Sequence, residues 1–440
     1  MKETGIRDWY LSLFEEFERE LNSGAPALGH MRRQAIRWFA ENGFPSTRQE
    51  EWRFTNVSPI SEIKFEAAEK PAALDPARIL PYITGDDSAR LVFVNGHIDR
   101  MSSTTAQLPH GLMLQSLQDA LASNDAAAAA ELARHARMDE NGFVALNTAF
   151  INDGAYVHVA KDVAHARPLH LLFITTDAAE ARMVQPRVLI IVEDNAQLSV
   201  IERYISLADS TYFANPVTEI VIGENANVTH YKIQQESRKA FHTARLQVVL
   251  KRDSSYTSHN YAFGGAIART DMHVVLDGEG IDCTLNGLYL GGGVQLIDNH
   301  TVIEHRRPHC NSREFYKGIL DERARAVFSG KIHVHKYAQK TDAMQSNQNL
   351  ILSEEATIDT KPQLEIYADD VKCTHGATVG RIDEESIFYL CSRGIGKAMA
   401  KNLMMQAFAG QITDRIKDDA LREHIAEIVL GHLHDGHLHR

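Results

Sequence analysis

The stretch from Val188 to Leu276 contains four short apolar segments at steady spacing, VLIIV (188–192), EIVI (219–222), LQVVL (246–250) and MHVVL (272–276). Each segment is followed by a small polar turn: EDNA, GENA, KRDSS and DGEG in that order. The segments end at Val192, Ile222, Leu250 and Leu276, so the steps between them are 30, 28 and 26 residues. Such a loose repeat, with no helical pattern inside it, favours a β-solenoid over a sandwich or barrel with coincidental spacing.

Both flanks of this region change to a helical period. Near the N-terminus, Tyr10, Phe14, Phe17 and Leu21 fall on one face of a helix. A second stripe follows Arg393 and consists of Ile395, Met399, Leu403 and Ala407. The sequence therefore predicts a mainly β protein with an N-terminal helical domain over 1–85, a β-core over 86–385 and a C-terminal helical segment over 386–440.

Composition excludes several classes of function. The chain has 440 residues, 44% hydrophobic and 24% charged, with a formal net charge of −12. This negative charge argues against a general nucleic-acid-binding surface, because such surfaces neutralise phosphates with Lys and Arg. No apolar run is long enough to span a membrane, and the acidic N-terminus lacks the features of a targeting segment. Four cysteines in so long a chain indicate reduced thiols and a cytoplasmic protein.

The familiar catalytic motifs are missing from the sequence. There is no GxxxxGK[ST] phosphate loop, no GxGxxG opening a helix, no GxSxG elbow, no HExxH and no CxxC. The glycines of LGGGVQ (290–295) lie in the strand-rich region and are typical of a turn. We therefore expect a protein that binds no nucleotide and is not an enzyme.

Potential metal ligands concentrate in DNHTVIEHRRPHC (298–310), which supplies His300, Glu304, His305, His309 and Cys310. On a strand, His300 and Glu304 share one face while His305 and His309 share the other, so one ion could be held only with a turn at Pro308. Zinc or iron accepts such ligands. Solvated or hydrogen-bonded strand histidines are the alternative. His305, His309 and Cys310 are secondary metal candidates.

A further candidate is DDVKCTHGATVG (369–380), in which Cys373 and His375 are two residues apart. On a strand both side chains project from the same face. A thiolate beside an imidazole suits a soft metal or the edge of an iron–sulfur cluster. The same pair is also compatible with a Cys nucleophile and its base, or with ordinary packing.

The C-terminal sequence HLHDGHLHR (432–440) is rich in histidine, with His432, His434, His437 and His439. Such a tail can trap metals incidentally. A frayed end is the simpler interpretation.

One long segment makes the chain recognisable: AMQSNQNLILSEEATIDTKPQLEIYADDVKCTHGATVG (343–380), followed by IFYLCSRGIGK (387–397). It resembles the signature region of the SufB/SufD family, the paired scaffold proteins of the SUF iron–sulfur assembly system. EEWRFTN (50–56), LVFVNG (91–96), LNTAF (146–150), YKGIL (316–320) and VFSGKIHV (327–334) add to the likeness. The resemblance is closer to SufD than to SufB, because the chain is shorter than SufB chains and lacks their central Cys-containing segment.

The resemblance implies a right-handed parallel β-helix flanked by helical regions, a heterodimer with SufB through the β-helix core, and docking of the SufC ATPase by the C-terminal helices. Met399, Leu403, Ile412 and Ile416 are the docking candidates. Cys373 and His375 would contribute to iron acquisition or to a nascent Fe–S cluster, bound transiently and shared with SufB. Without SufB, an exposed β-helix edge would allow a homodimer.

Two hypotheses from other classes compete with this one. A carbohydrate-active β-helix enzyme, such as a polysaccharide lyase, would present acidic and basic residues in a groove. An independent metalloenzyme would use His300, His305 and His309 and would hold stoichiometric zinc or iron.

Overall fold

A computed structural model describes residues 2–21, 26–69, 74–85, 88–105, 108–176 and 181–434. The N-terminal region contains helices α1 (Lys2–Glu20), α2 (Pro26–Asn42) and α3 (Ser58–Ser61). Helices α4 (Leu117–Ala122), α5 (Ala126–Glu131) and α6 (Gly142–Ala149) follow the first strands of the core. The chain ends with α7 (Glu384–Ser392), α8 (Lys397–Thr413) and α9 (Asp419–His434). The predicted mainly β fold with helices at both ends is confirmed.

Two sheets form the core. The first sheet has the spatial order β21 (Thr357–Ile366), β19 (Arg325–Val334), β17 (Leu296–His305), β15 (Ile267–Leu276), β13 (Phe241–Leu250), β11 (Val217–Ile222), β8 (Arg187–Val192), β5 (Gly154–Val159) and β4 (Leu112–Ser116). The short strands β1 (Glu66–Ala67), β7 (Arg182–Val184) and β10 (Phe213–Ala214) lie beside it.

The second sheet has the order β22 (Lys372–Gly380), β20 (Asp342–Ile351), β18 (Asn311–Leu320), β16 (Asp282–Gly291), β14 (Ser255–Ala262), β12 (Asn227–Gln235), β9 (Gln197–Ser206), β6 (Leu169–Thr175), β2 (Arg90–Val94) and β3 (His97–Ile98). From β11 onward, successive strands of the chain alternate between the two sheets. The pairs β2–β3 and β4–β5 are antiparallel, and the long strands pair in parallel. The result is a parallel β-solenoid of about seven turns.

The repeat predicted from the sequence is a column of stacked residues in the first sheet. Ile222 pairs with Val192 and Leu250, and Leu250 pairs with Leu276. The column continues from Leu276 through His305 to Val334. Because each coil places its strand end at the same point, the apolar side chains stack in the interior.

A second column lies at the corner between the two sheets. Asn195, Asn225 and Asp253 have φ angles of 58°, 55° and 57°, and Gly280 has 70°. These residues belong to the turns EDNA, GENA, KRDSS and DGEG, and each stands two positions before the next strand. Asn, Asp and Gly are the residues that adopt this left-handed conformation at least cost. The recurring turn residues of these coils therefore have a single geometric cause, the same left-handed corner.

The helical regions cover opposite outer faces of the solenoid. From the N-terminal region, Tyr10, Phe39 and Trp52 pack in one apolar cluster with Phe241 and Ile267 of the first sheet. From the C-terminal helices, a second set of side chains packs on the second sheet. This set consists of Met405, Ala409, Ile412, Ile416, Leu421, Ile425 and Val429. Parts of both outer faces are thus removed from water, and the last coil is left uncovered.

The three short helices α4, α5 and α6 lie within the span predicted as β-core, and the sequence pattern did not reveal them. Helix α6 is buried along its whole length, so it has no polar face to produce a helical period. Asn141 caps it by accepting hydrogen bonds from the backbone N–H groups of Phe143 and Val144.

Candidate functional site

The last strand of the second sheet, β22, carries both residues of the main candidate site. It pairs in parallel with β20, with Cys373 opposite Ala343 and His375 opposite Gln345. Ala343 and Gln345 are buried in the solenoid interior. Because cross-strand neighbours point to the same side of a sheet, Cys373 and His375 both face the interior side.

Strand β22 is the end of its sheet, and no described residue pairs with its outer edge. Cys373 is half-buried, while the residues from Thr374 to Gly380 are exposed. Val379 is 51% exposed although its side chain belongs to the interior side. In the described part of the chain, the solenoid is therefore open at this end, and its backbone N–H and C=O groups remain available for pairing.

The two candidate ligands lie in different surroundings. The side chain of Cys373 packs against a small apolar cluster that includes Ile332, Val334 and Ala343. Burial there raises the pKa of its thiol, so Cys373 carries a proton at neutral pH in the chain by itself. His375 is exposed. An incoming metal ion would displace the thiol proton, because the thiolate is the form that binds metals.

The secondary candidates are not brought together. His305 is fully buried, with Nε2 3.0 Å from the Ser312 hydroxyl, and burial lowers the pKa of its imidazole to about 4. The buried Cys310 thiol donates to the Gly278 carbonyl at 3.1 Å, and burial raises its pKa to about 11. His309 is exposed and occupies the left-handed corner position, with φ 61°. Among the described residues, no three His, Cys, Asp or Glu side chains are placed to hold one metal ion.

The strand-face prediction for His300 and Glu304 is confirmed, since both lie on the outer face of the first sheet. His300 Nε2 is 3.2 Å from Asp298 Oδ1, and its Nδ1 is 3.6 Å from Glu51 Oε2. Glu304 accepts from Arg306 and lies 2.7 Å from His335 Nε2. The imidazoles of His300 and His335 therefore already have carboxylate partners, and His300 belongs to a structural network on the outer face.

The four docking candidates divide into two pairs. Met399 and Leu403 on α8 are 52% and 38% exposed. Ile412 and Ile416 are buried in the contact between the C-terminal helices and the second sheet. On the described surface, Met399 and Leu403 are the members of this set that a partner could touch directly.

The histidine-rich end falls partly outside the described residues. His432 is not frayed: its Nε2 lies 3.0 Å from the carbonyl oxygen of Phe263 in the solenoid. His434 ends α9. His437 and His439 lie beyond the described residues.

Two family models together match nearly the whole chain. The model described as "SUF system FeS cluster assembly, SufBD core domain" matches residues 173–408. The model described as "SufBD protein N-terminal region" matches residues 4–171. The chain belongs to the SufB/SufD family. Within this family of iron–sulfur cluster assembly proteins it is most like SufD.

Relatives that are named as SufD or as SufBD family proteins match this chain along most of their length. The chain is 37% identical to an iron–sulfur cluster assembly SufBD family protein of Synechocystis, covering 88% of this chain and 86% of the relative. It is 32% identical to the iron–sulfur cluster assembly protein SufD of Escherichia coli, with 93% of each chain covered. SufD of Bacillus subtilis is 25% identical over 96% of each chain. Among the described residues, no helix is long and apolar enough to cross a bilayer.

Sequence reasoning missed a buried ionic cluster inside this SufB/SufD core. Glu202, His230, Lys232, Glu236 and His242 are all buried in the solenoid interior. Lys232 Nζ lies 3.0 Å from His242 Nε2, and His230 Nε2 lies 3.1 Å from Glu202 Oε2. Burial lowers the pKa of Lys232 to about 8. In the sequence, this cluster could be inferred only from the alternation of side chains along the strand, which places Lys232 on the same face as Val228.

Proposed function

We propose that this chain is a non-catalytic scaffold subunit for iron–sulfur cluster assembly, and that Cys373 and His375 form one wall of a site shared with a SufB partner. The observation that carries the proposal is the position of this pair on the interior side of β22, the open last strand of the solenoid. Thiolate and imidazole are suitable ligands for iron and for cluster edges. Two ligands leave positions for the partner to fill.

The open edge supports the pairing with SufB. An edge strand with free backbone groups is a template for another strand. A SufB edge seated there would continue the sheet and would cover Cys373 and His375, so that iron or a nascent cluster is shielded from water. The same edge would allow a homodimer when SufB is absent.

The C-terminal helices support docking of the SufC ATPase. Met399 and Leu403 are exposed on α8, and Phe388 and Tyr389 are 77% and 58% exposed on α7. Exposed apolar side chains of this size are typical of a protein interface. We propose that SufC binds this surface and that its ATP-driven movement shifts the shared interface between closed and open states. Ile412 and Ile416 hold the helices against the second sheet.

The proposal also covers the domain organisation and the cellular location of the chain. The division at residues 85 and 385 assigns the helical regions to partner contacts and the β-core to the shared site. A cytoplasmic location is proposed because all four cysteines are free thiols and because reduced thiols are the form that a cluster site requires.

The test uses the complex co-purified under anaerobic conditions from cells that express this chain with SufB and SufC. We expect His375→Ala and Cys373→Ala to lower its iron content and its visible cluster absorption, with complex formation nearly intact. Thr374→Ala is the matched control, because Thr374 lies between the two ligands and faces the other side of the strand. Normal cluster reconstitution in the Cys373→Ala/His375→Ala double variant would rule out the proposed site.

A further inference from the structure

Three polar residues are stacked in the interior beneath β22. Glu314 on β18, Gln345 on β20 and His375 on β22 are successive cross-strand neighbours. They form one column on the interior side. Glu314 and Gln345 are 0% and 1% exposed, while His375 is at the open end. A carboxyl group and a primary amide so deeply buried require an explanation, because burying polar groups costs free energy unless they are paired.

The Gln345 amide is half satisfied. Its Nε2 donates a hydrogen bond of 2.6 Å to Glu314 Oε2. Its Oε1 is buried and has no hydrogen-bond partner among the described residues. Burial raises the pKa of Glu314 to about 7, but a protonated carboxyl group still has an oxygen that accepts. With Nε2 on Glu314, the amide oxygen is directed away from that carboxyl group.

Gly330 on the facing sheet makes room for this amide. A Cβ atom at position 330 would overlap Nε2 and Cδ of Gln345. The backbone at Gly330 does not require a glycine for its φ angle, so the reason for glycine here is space. The amide is therefore held from two sides, by the Glu314 carboxyl group and by the backbone of β19.

His375 is the next residue of the column on the side away from Glu314. The two side chains are not hydrogen-bonded in the structure. We propose that Gln345 is a positioning residue for His375: when the exposed imidazole turns toward it, Oε1 accepts a hydrogen bond from one ring N–H and leaves the other ring nitrogen free to bind iron or a cluster. Histidine ligands commonly donate their second N–H to such an acceptor, which fixes the tautomer and the ring orientation. This inference rests on the proposed role of His375 as a ligand.

The direct test is the tautomer of His375 in the full-length chain, read from the imidazole nitrogen shifts of protein labelled with ¹⁵N-histidine. The His375 signals are assigned by their loss in His375→Gln. We expect one dominant tautomer in the unsubstituted chain and a mixture in Gln345→Met, which keeps the length of the side chain but removes the amide. Gln348→Met is the control, because Gln348 lies on the same strand and faces outward. An identical tautomer ratio in the unsubstituted chain and in Gln345→Met would overturn the inference.

Gly330→Ala provides a second variant that retains the amide but displaces it. We expect it to abolish the tautomer preference as Gln345→Met does, and an unchanged preference would again overturn the inference. In the assembled complex, iron(II) should bind about 10- to 100-fold more weakly to Gln345→Met than to the unsubstituted chain. If the tautomer depends on Gln345 but iron content does not depend on His375, the positioning contact stands and the proposed function fails.

Discussion

The guanidinium carbon of Arg269 lies 3.6 Å from the centre of the Trp52 ring. Trp52 belongs to EEWRFTN, and Arg269 lies on the outer face of β15, where it pairs with Asp271 and Asp298. A cation over an indole face is attracted by the ring, more strongly where water is excluded. The contact joins the N-terminal region to the solenoid and gives this family motif a structural role.

We expect Trp52→Ala to destabilise the chain by about 3–5 kcal/mol, because it removes a buried aromatic side chain and uncovers Arg269. Urea unfolding followed by circular dichroism measures the change. Trp38→Ala is the control, since Trp38 is only partly buried at the edge of the same cluster, and it should cost less. Equal losses of unfolding free energy in the two variants would mean that the Trp52–Arg269 contact does not contribute to stability.

His300 makes stability depend on pH. Burial opposes its positive charge, but attraction to Asp298 and a hydrogen bond with Glu51 outweigh this and raise the pKa of His300 to about 9. The folded pKa lies above the unfolded value of 6.5, so the stabilisation is complete below about pH 6.5 and is lost as pH rises through 9. The difference corresponds to roughly 3 kcal/mol.

We therefore expect His300→Gln to remove most of the fall in unfolding free energy between pH 6.5 and 9. Comparing the two chains at each pH cancels the contribution of all other groups. His165→Gln is the control, because His165 has no carboxylate among its hydrogen-bond or ion-pair partners in the structure. Parallel pH profiles for His300→Gln and the unsubstituted chain would contradict the assignment.

The buried ionic cluster predicts a large effect from one substitution. Lys232→Met leaves Glu202 and Glu236 without their nearby cation in a site that excludes water, and it should cost about 3–5 kcal/mol. Lys251→Met changes the same residue type at an exposed corner and should have little effect. Denaturant unfolding distinguishes the two. Similar stabilities would show that the Glu202 and Glu236 carboxyl groups are neutral in the folded chain.

Helix α8 carries both exposed and buried side chains, so substitutions on it can distinguish docking from folding. Met399→Asp and Leu403→Asp change exposed side chains, so they should abolish SufC co-purification and leave the melting temperature nearly unchanged. Ile412→Ala changes a buried side chain and should lower stability by about 2–5 kcal/mol. Retained SufC binding by the Met399→Asp/Leu403→Asp double variant would move the docking surface elsewhere. Point variants are preferable to truncation after Arg393, which would also uncover the second sheet.

The repeat could be predicted from the sequence because each of its elements is a short local pattern. Val192, Ile222, Leu250 and Leu276 end apolar strands, and the turns after them contain the residues that a left-handed corner needs. His305 stands in the same column, although its residue type and its neighbours suggest a metal ligand. Its burial follows from the register with Leu276 and Val334, which no local pattern reveals.

The buried residues next to the candidate site, Glu314 and Gln345, could not be predicted from the sequence for a different reason. Glu314 and Gln345 are polar residues at interior positions, and a polar residue in a strand is normally assigned to the solvent side. They are tolerated inside because each finds its partner one coil away, about 30 residues along the chain. Such pairing depends on the stacking of whole coils and leaves no mark in either strand alone.

Every strand of the core from β15 to β21 is ten residues long. The corners vary: four residues separate β13 from β14, five separate β17 from β18, and seven separate β19 from β20. The corners therefore differ in length while the strands keep their alignment. Gln345 and His375 are opposite each other through the pairing of β20 with β22, so the geometry of the proposed shared site does not depend on the lengths of the corners.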